Sequence, residues 1–404
     1  MIRTVFAAAL LAISAITAAP ALADNHTIAP GEGAGERLQE ALILAEPGDT
    51  IMLEAGRYAL TDGLSLDVEG VTIRGVGMEG DAQSILDFTN QQGAGEGLLI
   101  TSDNVTLRDF AVENAKGDGI KSKGADNIIY HGLRIEWTAG PKASNGAYGI
   151  YPVESSNVLV QDSYVRGASD AGIYVGQSEN IIVRRNRVVE NVAGIEIENS
   201  NFAEVTENLT TKNTGGILVF DLPGLPKVGG GSVLVARNAV IDNNTDNFAP
   251  EGNIVASVPA GTGVMVMANS NVQVVENALV NNDTTHVMLI AYSQDYNDER
   301  YQPRPVDVTV ADNVYGTGGA KPDFEGGALI AGAFGGALPP VLTDGLHQGL
   351  QVKDTKMVAT LGLTKVGQPR TEAAPALWSQ ADDTKSAPTL ARVTLPDGME
   401  ARLQ

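Results

Sequence analysis

The feature that most constrains the fold is an internal repeat of about 22 residues. Its units start at glycines that precede short apolar alternations, and successive separations are 22, 30, 23, 22 and 22 residues. These glycines are Gly97, Gly119, Gly149, Gly172, Gly194 and Gly216. Within each unit, short runs with a period of two are separated by Asn, Ser, Asp and Gly, which indicates strands. A chain of 404 residues would otherwise suggest several domains, but the repeat indicates one stacked solenoid.

The units favour a parallel β-helix, because no segment between them is long enough for a crossover helix. In such a solenoid each coil pairs with the coils above and below, and the Ile and Val side chains point inward. A recurring asparagine supports this arrangement, since its amide can bond both a turn and its stacked neighbour. The predicted asparagine column consists of Asn104, Asn127, Asn157 and Asn180.

The N-terminal part of the repeat region predicts a cap. Residues 35–58, GERLQEALILAEPGDTIMLEAGRY, place a short amphipathic helix over residues 36–45, before a strand. Such a helix would cover the open edge of the first coil. Over residues 28–320 the chain resembles the right-handed β-helix proteins of the pectin-lyase-like superfamily. This resemblance implies an all-β, single-stranded, right-handed parallel β-helix with an N-terminal α-helical cap and an extended C-terminal segment. It does not imply one activity, because that fold carries lyases, epimerases, hydrolases and non-catalytic proteins.

Two long insertions carry a narrower resemblance. Residues 221–231, DLPGLPKVGGG, and residues 247–269 are similar to insertions in a bacterial family known as parallel β-helix repeat-containing proteins, which has no assigned role. After Gly316 the repeat gives way to Gly- and Ala-rich sequence and then a polar tail. We therefore expect a signal peptide at 1–23, a capped β-helix at 24–320, and a C-terminal cap and extended tail at 321–404.

The N-terminus is typical of a secretory signal. Arg3 precedes an apolar run, and Ala21-Leu22-Ala23 fits a cleavage site, which predicts a periplasmic or secreted protein. No later segment is apolar enough to span a bilayer. The chain has no cysteine, which excludes disulfides and thiolate metal sites. Its net charge of −22, or −23 without Arg3, argues against nucleic acid as a partner.

A period of two also predicts which side chains point outward from one face of the solenoid. Along the coils this face changes from basic through aromatic and acidic to apolar. The outward residues are Lys121 and Lys123, Tyr151 and Val153, Tyr174 and Gly176, Glu196 and Glu198, Leu218 and Phe220, Met265 and Met267, and Met288 and Ile290.

This face predicts a groove for an acidic polysaccharide. Tyrosines on adjacent coils could stack on sugar rings, and lysines could meet uronate carboxylates. The sequence leaves open whether the protein is catalytic. If it is, the first choice is lyase-type β-elimination, with a lysine as base, a tyrosine as acid and two glutamates holding calcium, the one cofactor that the pattern suggests. The candidate catalytic residues are Lys121, Lys123, Tyr151, Tyr174, Glu196 and Glu198.

Other chemistries remain open on the same face. Glu196 and Glu198 have a spacing that inverting glycosidases could use. The frame Tyr-Gly-Ile-x-Pro at residues 148–152 matches the start of the catalytic loop of mannuronan C5-epimerases, which continues there with a carboxylate and a histidine. This chain has Tyr151 and Val153 at those places and keeps only Glu154, which argues against epimerisation. A solvated face with no site is the remaining interpretation.

The apolar end of the face gives an alternative from another class. A non-catalytic periplasmic scaffold or accessory protein could dock a partner there, and thioethers could also handle Cu(I). A fold precedent exists in β-helix proteins that help to mature nitrous-oxide reductase. Cover of this patch by the C-terminal tail or by a partner is the interpretation that we favour over copper. The candidate partner surface is Leu218, Phe220, Met265, Met267, Met288 and Ile290.

Overall fold

The computed structural model describes residues 23–93, 95–378 and 389–404. Within these ranges the strands form three sheets of twelve, twelve and ten strands, and each strand pairs with those of the neighbouring coils. Every pairing is parallel except the one between the last two strands of the second sheet. The chain visits the three sheets in turn, so the architecture is the predicted parallel β-helix.

The first sheet contains Asn25–Ile28, Thr50–Leu53, Thr72–Arg74, Thr106–Arg108, Ile128–His131, Ser156–Gln161, Glu179–Arg184, Asn201–Thr206, Gly231–Ala236, Ser270–Val275, Val306–Ala311 and Gln348–Val352. The second sheet contains Leu64–Leu66, Leu98–Ile100, Ile120–Lys123, Tyr148–Val153, Ala171–Gly176, Ala193–Glu198, Gly215–Phe220, Thr262–Met267, Thr285–Ile290, Val341–Thr343, Val358–Thr360 and Ala376–Leu377. The third sheet contains Gly56–Ala59, Ser84–Asp87, Ala111–Glu113, Arg134–Glu136, Tyr164–Arg166, Arg187–Val189, Leu209–Thr211, Ala239–Ile241, Ala278–Val280 and Val314–Tyr315.

The core is a set of aliphatic columns along the solenoid axis. In the second sheet the residue after each repeat glycine points inward, as the period of two predicts. Ile120 pairs with Ile150, and Ile150 with Ile173, and all three are fully buried. The same column continues through Ile195 and Ile217. Identical β-branched side chains therefore stack from coil to coil and fill the interior.

Asparagine ladders stabilise the turns. The predicted column is confirmed: its members have positive φ, and Asn127, Asn157 and Asn180 each donate to the amide oxygen of the preceding member at 3.0, 2.8 and 3.2 Å. Two further ladders are buried and were not predicted. One consists of Asn186, Asn208, Asn238, Asn277 and Asn313. The other consists of Asn191, Asn213, Asn243 and Asn282.

One end and one side of the solenoid are covered. The predicted cap is the α-helix Ala34–Leu44, whose Leu38 and Leu42 are buried against the first coil. The C-terminal segment lies along the first sheet, where Met399 is buried against that sheet. Arg392 there donates to both carboxylate oxygens of Glu204 at 2.6 Å. The solenoid core thus has a helix at one end and an extended segment along one side.

Short helices complete the described structure: the α-helix Gly327–Ala333 and the 3₁₀ helices Ile254–Ser257, Arg370–Glu372 and Glu400–Leu403. Four strands after residue 320 continue the first and second sheets. The division of the chain at residue 320 stays a prediction. The predicted signal peptide falls on residues 1–22, which lie outside the described residues, and on Ala23. No helix in the described part of the chain is long and apolar enough to cross a membrane.

Candidate functional site

The predicted outward column exists with the predicted register. Lys121 pairs with Tyr151, and Tyr174 pairs with Glu196 on the next coil. Glu196 in turn pairs with Leu218, and the column continues through Met265 to Met288. The change from basic through aromatic and acidic to apolar is therefore a real feature of the second sheet.

Three tyrosines form a cluster at the aromatic part of this column. The ring centroids of Tyr148 lie 4.5 Å from Tyr151 and 4.6 Å from Tyr174, and those of Tyr151 and Tyr174 are 4.8 Å apart. Lys121 Nζ lies 4.7 Å from the centroid of the Tyr151 ring. Tyr174 folds back over Gly176 of its own strand, where a Cβ atom would lie 2.4 Å from the tyrosine ring. The glycine in the outward column therefore makes room for the aromatic cluster.

Buried carboxyl groups surround the tyrosines. Tyr148 Oη donates to Asp170 Oδ2 at 3.4 Å, and Asn253 Nδ2 donates to the same oxygen at 3.5 Å. Burial raises the pKa of Asp170 to about 7 and that of Glu198 to about 7, while hydrogen bonds from Tyr148 and Tyr174 oppose these shifts. Both groups can thus exchange protons near neutral pH, which general acid or base catalysis requires.

The tyrosine hydroxyls are held in the protonated form. Burial, aided by nearby carboxylates, raises the pKa of Tyr151 to about 12 and that of Tyr148 and Tyr174 further. These groups are therefore hydrogen-bond donors over the whole range in which Asp170 and Glu198 titrate.

Glu196 differs from its neighbours in lacking a partner. Its side chain is only 2% exposed, and its Oε1 atom makes no hydrogen bond. Burial raises the pKa of this carboxyl well above its ordinary value, and the carboxyls of Asp170 and Glu198 add to the shift. The predicted pair Glu196 and Glu198 is thus brought together, but as buried groups rather than as an exposed carboxylate pair.

The two predicted lysines have different surroundings. Lys121 Nζ lies 3.0 Å from Glu96 Oε1 and 3.7 Å from Asp118 Oδ2. Burial raises the pKa of Asp118 to about 6, although Lys121 lowers it. Lys123 is exposed, and its Nζ lies 3.9 Å from Glu154 Oε1. Lys121 therefore belongs to the cluster around Tyr151, whereas Lys123 lies at its solvent side.

The expectation that the outward column is an exposed face is wrong for its acidic and apolar parts. Tyr174, Glu198, Leu218 and Met265 are each less than 9% exposed. Tyr174, Leu218 and Met265 belong to a second apolar cluster. Its other members come from the second insertion, from the segment between residues 291 and 305, and from the region after residue 320, among them Phe248, Val255, Val258, Tyr301, Ile330 and Leu361. The reason is that the long insertions fold back over the sheet instead of projecting into solvent. The candidate partner surface is thus covered mainly by the chain itself.

The methionines of the copper alternative lie together, since Met265 and Met288 pair on adjacent coils within the apolar cluster. His286 is buried near Asn282 and Tyr315, and its ring makes contacts at 3.2 Å with Asn282 Nδ2 and at 3.3 Å with the carbonyl of Gly316. This histidine is on the strand that carries Met288, and coordination of Cu(I) by the thioethers stays a prediction. Among the residues that the structure describes, no group of three His, Asp or Glu side chains is arranged to hold a metal ion.

Asp118, Asp170 and Tyr148 were missed from the sequence. Each lies just before a repeat glycine, where the chain turns into the second sheet. A period of two does not predict side-chain direction at a turn, so the alternation that predicted the outward column did not include these residues. The signal that could have found them is positional, because the two acids and the tyrosine all occur one or two residues before Gly119, Gly149 or Gly172.

Comparison with known proteins agrees with this geometry. Residues 74–223 match the family model described as a right handed beta helix region. The chain is a right-handed parallel β-helix protein. This confirms the predicted resemblance to the pectin-lyase-like fold. No curated protein matches the chain significantly.

Solved structures share the fold over most of the chain. The A-module of the mannuronan C-5 epimerase AlgE4 of Azotobacter vinelandii has a TM-score of 0.53 and 14% identity, covering 83% of this β-helix protein and 97% of that chain. The DFA-IIIase of Arthrobacter chlorophenolicus A6, solved without its lid in complex with GF2, has a TM-score of 0.51 and 12% identity. The match covers 82% of this β-helix protein and 99% of that chain. At these identities the likeness is one of fold.

Proposed function

We propose that the β-helix binds a carbohydrate at the tyrosine cluster and that the adjacent carboxyl groups transfer protons to and from it. The observation that carries this proposal is the contact of Tyr148 and Tyr174 with Asp170 and Glu198, two carboxyls with a pKa of about 7. Carboxyls with raised pKa values next to aromatic rings are a common property of sites that process sugars.

The exposed part of the cluster would contact the sugar. Tyr148 and Tyr151 are partly exposed, whereas Tyr174 is buried beneath them. A sugar ring could therefore stack on Tyr151, with Lys121 and Asp118 at its edge as hydrogen-bond partners. One protein of the same fold is named as an epimerase of mannuronan, which supports this substrate class by analogy.

The charges favour an uncharged sugar as the first substrate class. Lys121 already contacts Glu96 and Asp118, so a uronate carboxylate would have to compete with two acids for one cation. Hydrolysis by paired carboxyls is the chemistry that this arrangement supports best. Lyase-type elimination on an acidic polysaccharide, with or without calcium, is the second candidate. Lys121 lies beside Tyr151, but it would have to release its proton before it could act as the base, with the tyrosine as the acid.

Sugar binding is tested with two matched tyrosine variants. Tyr151→Ala should abolish binding on a glycan array. Tyr164→Ala is the control, because Tyr164 is also partly exposed but belongs to the third sheet. Its ring also has a cation above it, with Arg187 Cζ 5.3 Å from the ring centroid. Equal binding by wild type and Tyr151→Ala would refute the location of the site. No binding of wild type to any glycan would favour the accessory-protein alternative, whose docking surface would have to be uncovered first.

Catalysis is tested on the glycans that bind. Hydrolysis would release reducing ends, whereas elimination would give unsaturated uronate absorbance, measured with and without calcium. Glu198→Gln and Asp170→Asn should each abolish turnover while leaving binding within a few-fold. If both variants keep wild-type turnover, the proton-transfer role is refuted. Glu179→Gln, a substitution at a partly exposed position on the first sheet, is the control.

We also propose that the protein is exported and cleaved after Ala23. The apolar run after Arg3 and the Ala-Leu-Ala sequence support this. Mass spectrometry of the protein from a cell fraction would show a mature chain that begins at Asp24. An intact N-terminus in the cytoplasmic fraction would contradict export.

A further inference from the structure

A cavity of about 120 Å³ lies beside Glu196, beneath the insertion that contains the 3₁₀ helix Ile254–Ser257. Its walls are mostly apolar, and the outward column supplies Leu218, Phe220, Met265 and Met267. A second cavity, of about 240 Å³, shares Ile290 and Arg370 with it. The first cavity alone is somewhat smaller than the apolar cavity of roughly 150 Å³ that holds benzene, and the two adjoining cavities together exceed that volume.

Other polar residues line this cavity, including Arg370 and Gln294, but Glu196 is the one among them with an unpaired buried oxygen. The residue lines the cavity and is 2% exposed, and its Oε1 atom has no hydrogen-bond partner. A buried oxygen in this condition costs roughly 1–3 kcal/mol of stability. A hydroxyl group inside the cavity would remove that cost by donating to Oε1.

We propose that this cavity is a binding site for a small, mainly apolar molecule with one hydroxyl group, whose hydrogen-bond partner is the Glu196 carboxyl. The apolar walls hold the body of the ligand, and the carboxyl selects its polar end. The pKa of Glu196 is raised well above its ordinary value by burial, so the carboxyl is neutral and suits an uncharged hydroxyl better than an ammonium group. The site does not depend on the carbohydrate proposal, because its ligand need not contain a sugar.

Phenol and toluene provide the test, because they differ only in the exchange of a hydroxyl for a methyl group. Calorimetry or ligand-observed NMR gives the ratio of their affinities for the full-length mature protein. In Glu196→Leu the preference for phenol relative to toluene should fall by about tenfold, the value of one hydrogen bond. The same substitution should raise the melting temperature, since it removes an unpaired buried oxygen.

Two further variants separate the site from general effects on folding. Thr210→Val removes another buried oxygen without a partner, the Thr210 hydroxyl on the third sheet. It should leave the ratio of the phenol and toluene affinities unchanged. Ser257→Trp would fill the cavity from an exposed position of the insertion and should weaken both ligands at least tenfold. The proposal is overturned if wild type binds neither molecule at millimolar concentration, if Glu196→Leu keeps the wild-type ratio, or if Ser257→Trp binds both ligands as wild type does.

Discussion

The carboxyl of Glu198 should make the stability of the protein depend on pH in a direction opposite to that of most acidic residues. Its pKa is about 7 in the folded chain, against an ordinary value of 4.5, and the largest cause is burial. The folded state therefore holds a proton that the unfolded state has released between these two pH values. By linkage, stability is fully present below pH 4.5 and is lost as the pH rises towards 7.

The size of the effect follows from the same two values. A change in pKa from 4.5 to about 7 corresponds to roughly 3 kcal/mol of unfolding free energy. Glu198→Gln removes this titration but keeps the size and shape of the side chain. Relative to wild type, the variant should therefore gain about 3 kcal/mol between pH 4.5 and pH 8. Any constant effect of the substitution cancels in this comparison.

Urea denaturation of both proteins across this pH range measures the prediction. Glu179→Gln is the control for the loss of a carboxylate, because its side chain is 47% exposed and lies on another sheet. If the curves of Glu198→Gln and wild type are parallel within about 0.5 kcal/mol, the carboxyl is not held neutral by burial. The proton-transfer role would then lose its physical basis.

Three further predictions concern the scaffold. Asn208→Ala removes four buried hydrogen bonds and should lower the unfolding free energy by about 3–4 kcal/mol, measured by urea denaturation. In the same assay Asn180→Gly, which removes one hydrogen bond, should lower it by less than about 1 kcal/mol. Met399→Ala should speed tryptic cleavage of the C-terminal segment with little change in melting temperature. Met357→Ala, at an exposed position, should leave the cleavage rate unchanged. Leu38→Ala should destabilise by about 2–4 kcal/mol, and unchanged hydrogen exchange in the first coil would contradict its capping role.

Much of the fold could be predicted because the repeat is governed by local rules. Ile150 is buried and Tyr151 points outward since successive residues of a strand face opposite sides. The register between coils follows from the spacing of the repeat glycines, because a slip by one residue would turn every inward Ile or Val outward. The helix over Leu38 and Leu42 is predictable for a similar reason, as its apolar residues recur with the period of one helical face.

The candidate site could be predicted only in part, because its burial depends on contacts between distant parts of the chain. Nothing within the strand of Glu196 indicates that residues more than fifty positions away will line the same cavity as its carboxyl. The insertion at residues 247–260 carries Val255 and Val258, whose positions follow from no repeat. The acids at the turns, Asp118 and Asp170, lie outside the strict alternation. Alternation predicts the column, whereas the covering insertions determine whether that column is a solvent-exposed groove or a buried site.

Burial of acids in this column is not needed for folding, which is why it points to function. The backbone ladders and asparagine columns already hold each coil in place. The next residue of the column, Leu218, pairs with Glu196 and is buried to a similar degree, so an apolar side chain fits under the same cover. A leucine at 196 would extend the apolar cluster without any loss of backbone pairing. The chain instead places there a carboxyl with an unpaired oxygen, at a cost of roughly 1–3 kcal/mol. A group that costs stability at a position where an apolar residue would fit is best explained by a ligand that completes its hydrogen bonds.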